Sequence, residues 1–133
     1  MQVTTAAVSL TVDDVAASSA FLRTHFGFRE ELAAPGFSSL TRDDTGMNVV
    51  FLQRGLQVLP EHLRDQRAAG VIVAFVVADL EAEEARLRAA GVPITLPLRE
   101  EPWGERLFLV TDPNGVVIEL AEWVSPAGEP AQE

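Results

Sequence analysis

Apolar and polar positions alternate over short stretches of the chain, and turn residues separate these stretches. Residues 3–12 are rich in β-branched side chains, which predicts a strand. Asp14 follows and can cap a helix, because its carboxylate can accept the free backbone N–H groups of the first turn. The helix predicted over 15–26 ends at Gly27, since glycine readily adopts the left-handed conformation that ends helices.

The same order returns in the second half of the chain. The apolar run 71–77 predicts a strand, Asp79 predicts the cap of a helix over 80–90, and Gly91 predicts its end. The two Asp caps are 65 residues apart and the two glycines are 64 residues apart. Strand, cap, helix and stop therefore recur with one residue of slippage.

Three more strands are predicted in each half, and turn residues such as Pro35-Gly36 and Asn114-Gly115 separate them. They span 28–32, 37–42 and 47–53, and then 93–96, 106–111 and 116–123. A repeated element order indicates an internal duplication. We therefore predict an α+β fold in which one domain, residues 1–124, contains two tandem βαβββ units at about 1–55 and 70–124. The linker 56–69 is expected to be a loop or a short helix, and the Pro/Gly/Glu-rich tail 125–133 is expected to be disordered.

Composition limits the classes of function. The chain has 133 residues, of which 47% are hydrophobic, so it can bury a core. No apolar run approaches the roughly 20 residues that a membrane helix needs. No basic residue precedes the first apolar stretch, which argues against a signal peptide, so we expect a cytoplasmic protein without membrane contact. The absence of cysteine excludes disulfides and thiolate chemistry, and His25 and His62 are few ligands for a metalloenzyme.

The charge of the chain is strongly negative. Its formal net charge is −10, from 20 acidic and 10 basic side chains. Such a chain repels nucleic acid and anionic membranes and favours cationic ligands. The same acidity can simply keep a cytoplasmic protein in solution, so it is secondary support for a cationic ligand. No arrangement of nucleophile, base and acid and no glycine-rich phosphate loop is present in the sequence.

The doubled unit and two sequence segments together resemble a known family. The segments are SLTVDDVAASSAFLRTHFGF near the start and PWGERLFLVTDPNGVVIELAE near the end. They are similar to the vicinal oxygen chelate superfamily, which includes glyoxalase I, extradiol dioxygenases, fosfomycin-resistance enzymes and bleomycin-resistance proteins. The resemblance covers residues 3–123. It implies that each unit curls its strands into a half-open cup of mixed sheet and that paired units form the ligand cavity.

The resemblance also implies where a metal would bind. Many of the family's enzymes carry His on the first strand and Glu on the last strand of each unit, because imidazole and carboxylate hold a metal while leaving open positions. The corresponding positions here are Ala7, Val50, Ile72 and Glu119. Three of the four are apolar, and no His lies on these strands. We therefore expect no metal and no cofactor.

Within the superfamily the chain looks most like the bleomycin-resistance proteins, which bind an antibiotic without modifying it. Two segments carry this likeness: GFSSLTRDD, with Phe37, and EEPWGERLF, with Trp103. In those proteins an aromatic from each loop sandwiches a planar part of the drug, so the resemblance implies a clamp of Phe37 and Trp103. Glu101 and Glu105 flank Trp103, and carboxylates around aromatic rings suit a flat, cationic molecule. The alternatives are that Trp103 covers a strand edge and that Phe37 lies in the core.

Three further residues are candidates for ligand contact. Alternation along the strand puts Glu119 on the same face as Val117 and Ala121, and this face is either the cup, where Glu119 could bind a cation, or the solvent side. Phe51 and Phe108 lie on cup strands and could line the cavity, although core packing is the simpler reading.

These observations lead to a main functional hypothesis and two alternatives. The main hypothesis is non-catalytic binding and sequestration of a small, planar, cationic molecule, such as an antibiotic, by a homodimer. The homodimer is expected because the drug-binding relatives complete their cavity with strands from both chains. The first alternative is an enzyme of the same superfamily, a lyase or dioxygenase-like protein, with an unusual site around Glu119. The second is a structural dimer module whose cup is filled by its own side chains.

Overall fold

The computed structural model describes residues 1–124, so the predicted tail lies outside the described residues. The described part contains eight strands and two helices in the order βαβββ–βαβββ. They are β1 (Ala7–Val12), α1 (Val15–His25), β2 (Arg29–Ala34), β3 (Phe37–Thr41), β4 (Asn48–Gln53), β5 (Ile72–Val76), α2 (Leu80–Ala89), β6 (Ile94–Glu100), β7 (Glu105–Thr111) and β8 (Val117–Trp123).

The strands form two four-stranded mixed sheets. Their orders are β1-β4-β3-β2 and β5-β8-β7-β6, with the first strand of each unit parallel to the last and the other pairs antiparallel. The chain divides into two compact units, unit 1 from Met1 to Ala69 and unit 2 from Gly70 onward. The predicted α+β fold of two βαβββ units is confirmed.

The helix boundaries follow the predicted caps and stops. Asp14 Oδ1 accepts a hydrogen bond from the backbone N of Ala17 at 3.1 Å, and Asp79 Oδ1 accepts one from Ala82 at 3.1 Å. Gly27 has a φ of 69°, in the left-handed region that favours glycine. The Asp caps thus set where α1 and α2 begin, and Gly27 sets where the chain turns from α1 toward β2.

Strand β6 is longer than predicted. The prediction ended it at Leu96, whereas the strand continues past Pro97, which has no N–H to donate, to Glu100. It is an edge strand, and its pairing with β7 shifts in register between Leu96 and Arg99. The proline therefore lies at an irregular position of an edge, where a missing donor is tolerated.

Each unit packs one face of its sheet against its helix. In unit 1, Phe51 lies opposite Leu10 and Ser38 in the ladders, and Ser38 contacts Ser19 of α1, which identifies the helix-facing side. In unit 2, Phe108 lies opposite Leu120 and on the same face as Arg106, which binds Glu81 of α2. Phe51 and Phe108 are 1% and 0% exposed. The residues between these positions point to the other face of each sheet.

The linker 56–69 contains turns and no regular element. The guanidinium of Arg64 donates to the carbonyl oxygens of Leu59 at 2.9 Å and Gln57 at 3.2 Å, which ties the loop together. The loop alternative for this segment is therefore the one observed. Neither helix within residues 1–124 is long and apolar enough to cross a membrane.

Candidate functional site

The face of the unit 2 sheet turned away from α2 carries both predicted carboxylates. In the β7–β8 ladder Glu119 lies opposite Leu109, Ala121 opposite Leu107, and Glu105 opposite Trp123. Phe108 and Leu120 face α2. The six residues just named occupy the intervening strand positions, so they share the opposite side of the sheet. Glu119 therefore lies on the face turned away from α2, and its contact with a ligand in a cup stays a prediction.

Glu105 and Glu119 form a pair of interacting carboxyl groups. A side-chain hydrogen bond joins them. Glu105 lies opposite Trp123 of β8, and Ala121 is the residue on this face of β8 between Trp123 and Glu119. Glu105 is 8% exposed and Glu119 is half-buried. Burial, followed by the hydrogen bond and the charge of Glu105, raises the pKa of Glu119 to about 7. Near neutral pH this pair can hold one proton, and a ligand cation could replace that proton.

Trp103 is attached to the carboxyl pair by a hydrogen bond. Its indole Nε1 donates to Glu105 Oε1 at 2.9 Å, although 60% of the residue is exposed. The loop that carries it is closed by backbone bonds from Glu101 N to Glu105 O at 2.7 Å and from Gly104 N to Glu101 O at 3.0 Å. An exposed tryptophan held at its polar edge keeps one orientation and leaves an aromatic face open to a ligand.

The structure gives Glu101 a different environment. Its Oε2 pairs with Arg99 Nε at 2.6 Å, at the end of β6. This ion pair neutralises the carboxylate that was expected to attract a cation. Among the predicted acidic residues, the structure brings together Glu105 and Glu119 with Trp103, and Glu101 is held by Arg99 instead.

Phe37 lies in unit 1, at the first position of β3, opposite Ala34 and Leu52. Its ring is half-buried and it lines a cavity of about 670 Å³. Trp103 belongs to unit 2, so the proposed pairing of these two rings as a clamp stays a prediction. Phe51 and Phe108 lie in the cores of their units, which is the packing alternative, and neither belongs to the carboxyl–tryptophan cluster.

Comparison with known proteins decides the family. A model of the Glyoxalase/Bleomycin resistance protein/Dioxygenase superfamily matches residues 4–120. The chain belongs to this superfamily.

Solved structures of the superfamily share the fold. One is a glyoxalase/bleomycin resistance protein/dioxygenase from Nocardioides, with a TM-score of 0.76 and 23% identity, covering 100% of this chain and 91% of that one. TioX from Micromonospora sp. ML1 is 28% identical with a TM-score of 0.68, covering 89% and 97% of the two chains. Lactoylglutathione lyase from Agrobacterium tumefaciens is 20% identical with a TM-score of 0.69, covering 86% and 90%. Among functionally curated proteins, no match was found.

The residues present do not fit the metal that enzymes of the superfamily commonly hold. In the register, Val50 of β4 lies opposite Ser9, and Glu119 of β8 lies opposite Ala74. These positions, together with Ala7 and Ile72, supply one carboxylate. Within residues 1–124, no cluster of three or more His, Cys, Asp or Glu side chains could coordinate a metal ion. The carboxyl pair is better suited to bind a proton or an organic cation.

A second polar group was not predicted as a site. In unit 1, Ser19 and Ser38 are 1% and 2% exposed, and both donate to Glu30. A faint signal existed in the sequence, because Ser18 and Ser19 lie three or four positions before the core residue Leu22, on the buried side of α1. Strand pairing was needed to bring Ser38 and Glu30 to the same place.

Proposed function

We propose that this chain binds a small planar molecule with a positive charge, and that it does so without a metal and without modifying the ligand. The observation that carries the proposal is the exposed indole of Trp103, held by Glu105, beside the carboxyl pair of Glu105 and Glu119. The aromatic face would stack on the ligand, and the carboxylates would attract its charge.

The physical argument combines stacking with electrostatics. A tryptophan face attracts cations more strongly than other aromatic rings do, and a rigid ring loses little conformational entropy on binding. A cation near Glu119 would replace the proton that the raised pKa of this residue retains. Binding should therefore release a proton at pH values below about 7 and tighten as the pH rises, because the ionised form of Glu119 becomes available.

A matched pair of probes tests the proposal. With Trp123 replaced by phenylalanine, Trp103 is the remaining tryptophan of the two in the chain. Saturable quenching of its emission is expected with N-methylquinolinium and much less with neutral quinoline, at equal concentrations. Free N-acetyltryptophanamide measures collisional quenching. Equal saturable quenching by both probes would contradict the requirement for charge.

Two variants separate the charge from the orientation of the indole. Glu105→Gln keeps an amide oxygen that can accept from Trp103 Nε1, while it removes one negative charge. Glu119→Gln leaves the Trp103 contact intact. Both should weaken N-methylquinolinium binding, whereas Glu101→Gln should not, because Glu101 is already paired with Arg99. Unchanged affinity in both site variants would refute the role of the pair.

The remaining parts of this proposal concern assembly and physiology. We propose that the protein is a homodimer, purifies without a stoichiometric transition metal, and sequesters its ligand, such as an antibiotic, in the cytoplasm. Light scattering should give twice the 14.4 kDa chain mass. Elemental analysis should find far less than one Fe, Mn, Ni or Zn per chain. A monomer at micromolar concentration, or one metal per chain that is lost in Glu119→Gln, would contradict the corresponding part.

One observation favours an enzyme as a second candidate. A pKa of about 7 places Glu119 where a general acid or base works best at neutral pH. Since one structural relative is a lactoylglutathione lyase, lactoylglutathione in D₂O is a suitable test compound. Deuterium incorporation at the lactoyl α-carbon, followed by NMR and abolished by Glu119→Gln, would favour this candidate. No incorporation beyond the protein-free rate would weigh against it.

A further inference from the structure

Unit 1 contains a cavity of about 670 Å³ between α1 and the β2–β3 hairpin. This volume is in the range of small-molecule sites. It lies on the helix side of the sheet, because Ala33 lines it and lies directly opposite Ser38, whose hydroxyl contacts α1. Its lining includes Ser19, Arg23, Glu30, Ala33, Phe37 and Ser38.

The cavity wall contains a network of buried hydroxyl groups. Ser38 Oγ donates to Glu30 Oε2 at 2.7 Å, and Ser19 Oγ donates to the same oxygen at 3.0 Å. Arg23 Nε donates to Ser19 Oγ at 3.2 Å. Helix and sheet faces are usually joined by apolar side chains, so hydroxyls in this place hold a carboxylate in position at some cost in apolar packing.

The carboxylate held by these hydroxyls is that of Glu30, and the hydroxyls bind only one of its two oxygens. The hydrogen bonds from Ser38 and then Ser19 lower the pKa of Glu30, so it is ionised at neutral pH. All of its hydrogen bonds to residues 1–124 go to Oε2, and no ion pair joins it to Arg23 there. Asp13, by contrast, is already paired with Arg54 and Arg67. Within this part of the chain, Oε1 of Glu30 is thus an acceptor left for a ligand, and Asp14 and Gln53 lie in the same lining.

We propose that this cavity is a second binding site, separate from Trp103 and its carboxyl pair, and that it takes a protonated organic amine. The ammonium group donates to Glu30 Oε1, next to the serine hydroxyls. The carbon body of the ligand packs against Val15 of α1 and Ala33 of β2, which line the cavity and supply apolar surface. A ligand of this site needs a positive charge and a compact apolar body, and it does not need a planar ring.

The experiment titrates the full chain with cyclohexylammonium and, as a neutral molecule of the same shape, with cyclohexanol. Backbone amide NMR shifts at residues 30, 33 and 38 are the readout. Saturable shifts are expected with the ammonium and weak shifts with the alcohol. Equal shifts with both probes would overturn the amine class. No saturable shift at these three amides, even with cyclohexylammonium in large molar excess over the protein, would overturn the site.

Three variants sharpen this test. Glu30→Gln removes the charge, and it should weaken cyclohexylammonium binding about fivefold, as expected for a partly exposed charged contact. Glu31→Gln changes the next residue of β2, which bonds Thr41 and does not line the cavity, so it should bind as the unmodified chain does. Ala33→Leu places a larger side chain in the cavity, opposite Ser38, and it should abolish binding. Retained affinity in Ala33→Leu with a native spectrum would overturn the site.

The outcome is independent of the function proposed above. Glu119→Gln should leave the cyclohexylammonium shifts in unit 1 unchanged, while Glu30→Gln should leave N-methylquinolinium quenching unchanged. If each variant abolishes the other probe's binding as well, the two sites are one and this proposal fails. If quenching fails but the unit 1 shifts appear, the second site stands without the first.

Discussion

The two units share a framework, but the serine–glutamate network of unit 1 lies on the helix side of its sheet, whereas the carboxyl pair of unit 2 lies on the side away from the helix. In α1, Ser19 pairs with Arg23, and in α2 the residues 65 positions later, Glu84 and Arg88, pair at 3.4 Å. In unit 2, Arg88 therefore pairs with a carboxylate of its own helix. In unit 1 the helix supplies the hydroxyl of Ser19 instead, and the carboxylate that this hydroxyl contacts, Glu30, comes from β2. Unit 2 places its own interacting carboxyls on the face away from the helix.

This difference shows which positions of the duplicated unit are free to change. Leu22 and Leu87, also 65 residues apart, are both buried on the helix face, and the Asp caps and their bonds are the same in both units. These shared features stabilise the fold. The residues around them can become polar on either face without loss of the framework, so one fold can carry two chemically different sites.

The largest expected effect concerns the shared leucines. Leu22→Ala and Leu87→Ala should each lower the free energy of unfolding by about 3 kcal/mol, since each removes a buried side chain and leaves a cavity. Urea unfolding followed by circular dichroism measures the loss. Leu32→Ala, at an exposed position of β2, is the control and should change little. A loss in one unit only would show that the two frameworks are not equivalent.

The next effect concerns ligand binding in unit 2. Trp103→Ala should weaken N-methylquinolinium binding by about tenfold or more, because it removes a stacking face worth about 1.4 kcal/mol. Trp123→Phe is the matched control. Calorimetric titration of Phe37→Ala then decides whether the predicted clamp includes a residue of unit 1. Full affinity in Trp103→Ala would show that the indole does not contact the ligand.

The helix caps should behave as a matched pair. Asp14→Ala and Asp79→Ala should each cost about 1 kcal/mol of stability, because each leaves a backbone N–H of the first turn without its acceptor. Thermal unfolding measures both, with Asp65→Ala in the linker as the control. If the costs differ by more than about twofold, the capping bonds do not contribute equally to the two units.

The smallest effect is a pH dependence confined to unit 2. The pKa of Glu119 is raised to about 7 in the folded chain, from an ordinary value of 4.5. Its contribution to stability is present below about pH 4.5 and is lost as the pH rises through about 7, because the folded state disfavours the ionised form. Solvent exposure limits the change to about 1 kcal/mol.

The difference between the unmodified chain and Glu119→Gln isolates this effect. Denaturant unfolding from pH 4 to 9 should show a stability difference that changes with pH and levels off above pH 8. Glu100→Gln, at an exposed position, should show no such trend. A flat difference for Glu119→Gln would mean that the carboxyl pair does not share a proton.

The elements were predictable from residues close together in the chain. Asp14 and Asp79 each cap a helix by accepting a hydrogen bond from the backbone N–H three residues later in the chain, and Gly27 turns the chain at the end of α1. The end of β6 was the exception, because Pro97 is tolerated in this strand only where the strand lies at a sheet edge, and strand order is not a local property. The likeness of the two halves followed from the same local spacing.

The sites needed the folded sheets. Alternation along β8 puts Glu119 on the same side as Ala121, but only the position of α2 decides that this side is the one turned away from the helix. Glu105 meets Glu119, and Ser38 and Ser19 meet Glu30, across strands and a helix. A capping bond joins residues three apart and so is encoded locally, whereas these contacts join residues 8 to 14 positions apart and form only when pairing register and helix packing are both in place.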